Sequence, residues 1–149
     1  MSFWLAVYDI DPAGGVERSV ELPSHAGGFH SWGKEVYGSA LAFELGLSIL
    51  PRLATEGHLE ATGADLECLR DEARLLHAHA HHLRRDDNGA EPTLNRLDPD
   101  GTRHNVVIGG SGEDESDVVA AVHARLENII AAAEIAIALG PGRGRLSIT

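Results

Sequence analysis

Residues 118–149 read VVAAVHARLENIIAAAEIAIALGPGRGRLSIT, and the fold turns on this stretch. Val119, Val122, Leu126, Ile129, Ala133 and Ala136 recur at alternating spacings of three and four, the signature of one helical face turned to a core. Ile130 and Ile137 widen that stripe. Upstream, Ser111 precedes Glu113, Asp114 and Glu115, acids that suit the positive end of a helix dipole. Gly140 is a natural residue just past a helix end, and Pro141 prevents continuation. Leu146 to Thr149 then reads as a short strand that returns to a sheet.

That sheet is expected at the other terminus. Phe3 to Asp9 is rich in aromatic and β-branched residues, Asp11 to Gly15 is turn chemistry, and Val16 to Leu22 alternates as a returning strand. A second hairpin is expected where Asp98 to Gly101 joins Thr93–Leu97 to Arg103–Ile108. Between them lie two more helices. One is expected from near Lys34 to about Leu50, where Pro51 either ends it or opens another short turn carrying Leu53. The other carries Leu66, Leu69, Ala73, Leu76, Ala80 and Leu83 on one face; Thr62 is its expected N-cap, with Asp65 in support, and Arg84 or Arg85 its end. Gly57 to Gly63 reads as a break. The expectation is an α+β fold: a small antiparallel sheet, made of the N-terminal hairpin and the C-terminal strand, packed against about three main helices. Residues 1–149 form one domain, long enough to bury about 70% of the surface of the unfolded chain.

Composition narrows the function. Twenty-three acids against 12 bases leave a net charge of −11, and Lys34 is the single lysine. Such a chain repels phosphate backbones, which argues against nucleic acid as a partner, and its field favours a basic protein. Cys68 is the lone cysteine, so no internal disulfide forms and a reducing compartment is expected. Met1 to Asp11 lacks the basic start of a signal peptide, and the apolar run Ile129 to Leu139 contains Glu134 and falls well short of the ~20 residues that span a bilayer. The expected location is the cytoplasm.

The densest chemistry lies at residues 77–82, which hold four of the nine histidines. Helical geometry divides them. His77 and His81, four apart, can reach one ion and project with Arg70 and Arg74 away from the leucine stripe. His79 and His82 lie beside Cys68, Glu72 and Leu75 at the core's flank. His77 and His81 are therefore the candidate ligands of a divalent transition metal, needing a distant carboxylate or His123 to complete the site. Metalloprotease chemistry is excluded on this helix, because its His-Glu-x-x-His motif needs Glu where residue 78 is Ala. Glu72 reads as a solvated surface carboxylate and Cys68 as an inert thiol with no basic activator in sequence.

Other motifs dissolve on inspection. Gly109 to Gly112 precedes a helix, but the phosphate-loop lysine is missing and Glu113 and Asp114 occupy the place of a phosphate. The same residues fail Gly-x-Ser-x-Gly, since residue 113 is Glu. Asp98 to Gly101 is a fragment of a calcium loop without the later ligands. Arg125 and Asn128 flank Leu126 and Ile129, and are expected to tie the long helix to loop carbonyls, with a partner contact as the alternative.

The run Arg125-Leu126-Glu127-Asn128-Ile129 before an alanine-rich helix, a glycine turn and a terminal strand resembles small actinobacterial immunity-type proteins of polymorphic toxin systems. So does Trp32-Gly33 with Gly38, followed by Leu47-Ser48-Ile49-Leu50-Pro51-Arg52-Leu53. The resemblance implies a protein that binds and neutralises a cognate toxin, without catalysis or cofactor. Acidity and the lack of a catalytic motif point the same way. The candidate contact residues are Trp32, Asp86, Asp87, Glu113, Asp114, Glu115 and Asp117. The alternatives are a metal-binding protein or metal-dependent enzyme built on His77 and His81, and a structural homodimer.

Overall fold

The structure is a computed structural model describing residues 2–23, 29–30, 36–80, 84–85, 92–97, 103–107 and 115–149. For residues 2–3, 29–30, 40, 84–85, 92–97, 103–107 and 115–121 it describes the backbone alone. In chain order the elements are β1 (Ser2–Phe3), β2 (Leu5–Ile10), β3 (Glu17–Val20), β4 (Phe29–His30), α1 (Ala40–Glu44), α2 (Arg52–Thr55) and β5 (Leu59–Thr62). There follow α3 (Ala64–His79), β6 (Arg84–Arg85), β7 (Pro92–Leu97), β8 (Arg103–Val107), α4 (Glu115–Ala138) and β9 (Gly144–Ile148).

The main sheet is antiparallel with order β3-β2-β9-β5, so the last strand of the chain lies at its centre. The N-terminal hairpin forms as its turn chemistry requires. Asp11 Oδ1 accepts from the Ala13 amide at 2.9 Å, and Gly15 takes a positive φ of 68° that a side chain would disfavour. Cross-strand register then aligns Leu5, Ile148 and Leu59 in one row and Val20, Val7, Leu146 and Ala61 in the next. In both rows every residue is buried except Val20, which packs partly against the core. The second hairpin also forms, with Leu97 opposite Arg103 in the β6-β7-β8 sheet.

α3 and α4 cover the inner face of the main sheet. On α3 the expected stripe is buried at Leu66, Leu69, Ala73, Leu76 and Ala80, while Leu83 lies outside the described residues. On α4 Val122, Leu126, Ile129, Ala133 and Ala136 are buried, and Ile130 and Ile137 pack against the core. Gly144 is where α4 comes closest to β9: a Cβ there would stand 2.1 Å from the Ala136 carbonyl oxygen. The sequence thus needs glycine where helix backbone rests on strand backbone.

Four expectations are corrected. The helix expected from Lys34 to Leu50 is only α1, capped by Ser39 Oγ accepting from the Ala42 amide at 3.1 Å, and broken where Gly46 takes φ 75°. The break at Gly57 to Gly63 contains β5, whose Leu59 and Ala61 are buried beneath the helices. Thr62 ends that strand, and the N-cap of α3 is Gly63, with φ 56° and ψ −129° and no side-chain cap. Finally, α3 stops at His79, and Arg84 and Arg85 form β6. The strand error has a clear cause: four residues with two small side chains carry too little hydrophobic signal, and β9 supplies the pairing that a lone segment lacks.

Candidate functional site

The seam between α3 and α4 holds the one described member of the expected histidine pair. His77 is half-buried against α4, on the side of α3 that also carries Arg74, which corrects the expectation of an exposed side chain. Its Nε2 donates to Glu127 Oε1 at 3.1 Å, and its ring stacks on His123 with centroids 4.0 Å apart and planes 17° from parallel. His123 Nε2 donates to the His77 carbonyl at 3.0 Å. Further along the seam Arg74 pairs with Glu134.

The expected distant ligand, His123, therefore does arrive beside His77, yet in the wrong attitude for a shared ion. A metal lies in the plane of the imidazole that binds it, about 2 Å from the nitrogen. An ion placed so for one ring sits far out of the other's nearly parallel plane. Among the described residues no group of three His, Cys, Asp or Glu side chains is placed to hold a metal. What the seam does is join two helices through a stacked pair, the His77–Glu127 hydrogen bond and the Arg74–Glu134 ion pair.

The expected partner-binding residues are placed as follows. Trp32, Asp86, Asp87, Glu113 and Asp114 lie outside the described residues, as does the second expected metal ligand, His81. Glu115 and Asp117 occupy the first turn of α4, where their acidity suits the helix dipole.

Glu72 overturns its expectation as a solvated carboxylate. It is 8% exposed, and it accepts from the backbone amides of Ser48, Ile49 and Leu50 at 3.0, 2.9 and 3.2 Å. The Ser48 hydroxyl adds a fourth bond at 3.2 Å. These amides open the turns leading into α2, and Pro51, next in the chain, has no N–H to satisfy. One carboxylate from a distant helix thus caps an entire helix entry. The legible signal was its position, three residues after Leu69 and four before Leu76, inside the buried stripe. Cys68 Sγ also donates to Glu72, at 3.5 Å. Partial burial, that hydrogen bond and the charges of Glu72, Asp65 and Asp71 together raise the thiol above its ordinary pKa, which holds it protonated and a poor nucleophile.

Tyr37 is buried in the core, and burial holds its phenol well above the ordinary value, with the Arg125 charge pulling the other way.

The outer face of the main sheet carries a cluster that sequence reasoning missed. Arg145 donates from Nε and Nη2 to the Glu17 carboxylate at 3.0 and 2.7 Å and from Nη1 to Glu60 at 2.7 Å. Its guanidinium carbon lies 4.4 Å from the centre of the Tyr8 ring. The hydrogen bonds it donates to Glu17 lead the effects that raise its pKa, so the charge is permanent. The alternation of Arg145, Leu146, Ser147 and Ile148 was the available signal, since period two sends Arg145 outward once Leu146 is inside. At the hairpin end, Arg143 pairs bidentately with Asp9 at 3.0 and 2.9 Å. This pair borders a shallow cleft of about 490 Å³ with Asp11, Pro12, Val16 and Arg18. Two acids and two bases leave that cleft without net charge.

No helix among the described residues is long and apolar enough to cross a membrane. No protein-family model, no curated protein and no solved structure matches the chain.

Proposed function

We propose that the chain is a non-catalytic protein-binding module of the immunity type, acting in the cytoplasm to neutralise a cognate basic toxin through an acidic surface. The observation that carries this reading is how the positive charge is used. Arg70, Arg74, Arg143 and Arg145 are each engaged by carboxylates of the same chain, at Asp71, Glu134, Asp9 and Glu17 with Glu60. Pairing neutralises these four of the 12 bases locally, and the excess of 11 acids over bases leaves the outward field negative. Such a field speeds the approach of a cationic partner and repels nucleic acid.

Affinity capture from the native host tests it. The immobilised chain should retain a basic protein in mild salt and release it as salt rises past the range where surface charges are screened. Recovery of no basic partner in mild salt, or of one indifferent to salt, would count against the reading.

A further inference from the structure

The acidic-surface reading leaves open which face meets the partner. β2 alternates: Leu5 and Val7 point into the core, so Trp4, Tyr8 and Ile10 lie on the opposite side of the sheet. Trp4 belongs to the same ladder, because its amide and carbonyl bond Thr149 at 2.7 and 3.0 Å. It is 68% exposed, while Tyr8 and Ile10 keep intermediate exposure. The helices of the described residues pack on the other face, as the contact between Gly144 and Ala136 and the buried rows of β2, β9 and β5 establish.

Acids flank this apolar row on both sides. Glu17 on β3 and Glu60 on β5 share the single cation Arg145, so the trio carries one net negative charge (two acids less one base). The row thus carries an exposed Trp at one end and, beyond Ala6, a Tyr stacked by a fixed Arg, residue types that dominate binding energy at protein interfaces.

We infer that the outer face of the main sheet, centred on Trp4, Tyr8 and Ile10, is the docking surface for a cationic polypeptide with apolar side chains. The inference rests on the proposed partner-binding function and gives it a location. Charge complementarity selects the occupant. A second copy of this chain would bring another −11 to the same surface and is repelled, whereas a basic segment meets the acid flanks while its apolar side chains cover the aromatic row.

The test reads Trp4 as the difference between the emission of the unaltered full chain and that of its Trp4→Phe variant, in which Trp32 alone emits. Two synthetic probes are titrated at low salt: a peptide alternating arginine with leucine, and one alternating glutamate with leucine. The arginine peptide should blue-shift Trp4 emission and shield it from acrylamide, and the glutamate peptide should leave it unchanged. By calorimetry, Tyr8→Ser should weaken the arginine peptide about tenfold, a loss typical of one aromatic anchor. Trp4→Ser, at an exposed position whose removal spares the core, should do the same with unchanged circular dichroism.

Binding of the arginine peptide with Trp4 still fully quenchable would overturn the docking face while leaving the acidic-surface reading intact. Failure of the peptide to bind at all would defeat both. Shielding of Trp4 on concentrating the chain alone would overturn the inference in favour of a second copy.

Discussion

The two faces of the main sheet are made by the same residues taken alternately, yet they obey different rules. On the inner face Leu5, Val7, Leu59, Ala61, Leu146 and Ile148 align in cross-strand rows under α3 and α4. On the outer face the same strands present Trp4, Tyr8, Arg145, Glu17 and Glu60, held by stacking and ion pairs. The first face removes apolar area from water and stabilises the fold. The second leaves an aromatic row and charges in contact with solvent, where ion pairs contribute little to stability. Stability and recognition can therefore be altered separately in this chain.

Substitutions can break that separation, and the largest effect belongs to the inner face. Leu146→Ala empties the centre of a fully buried row and should cost about 2–5 kcal/mol in chemical denaturation. A cost near zero would mean the sheet does not carry the core.

Glu72 is the polar exception on the covered side of the molecule. Glu72→Ala leaves buried amides at residues 48–50 without an acceptor and should cost about 1–3 kcal/mol by the same measurement. Glu72→Gln should recover part of that, since its amide oxygen still accepts.

Arg145→Met tests the outer face. It removes one cation from between Glu17 and Glu60 but keeps an apolar stem over Tyr8, and should cost about 0.2–1 kcal/mol, less at high salt. A loss as large as that of Leu146→Ala would erase the distinction between the faces.

The smallest effect at neutral pH concerns Tyr37. Its folded-state pKa is raised by burial, so the contribution is fully present below the unfolded phenol's value of about 10. It is lost as pH rises beyond that, because the unfolded chain releases a proton that the folded chain holds. Stability should be flat through neutral pH and fall in alkali, and Tyr37→Phe should flatten the alkaline fall.

Much of this architecture was legible from residue order. The stripes of α3 and α4, both hairpins and the returning C-terminal strand follow from periodicity and turn chemistry, because those signals are local. The candidate site was legible in part. The expectation that His77 and His81 share a helix side came from spacing alone, and His81 lies outside the described residues; the stacking of His77 on His123 requires knowing how α3 and α4 lie together. Glu72 was misread for the same reason: its partners at residues 48–50 are 22 to 24 positions away, on a turn that no local signal ties to α3.

By itself, then, the sequence determined the core stripes of α3 and α4, the hairpins, the acid excess and the alternation that gives each strand two faces. All of these depend on neighbours within a few positions or on simple counts. Only the tertiary structure decided that β9 takes the centre of the sheet, that Leu59 to Thr62 becomes a strand, and that Glu72 holds the amides of the turn before α2 from another helix. These depend on pairings between distant segments, whose free energy arises only once both partners have been brought together. The outer face belongs to both: alternation put Trp4, Tyr8 and Arg145 on one side, and the helices, by covering the other, left that side to solvent.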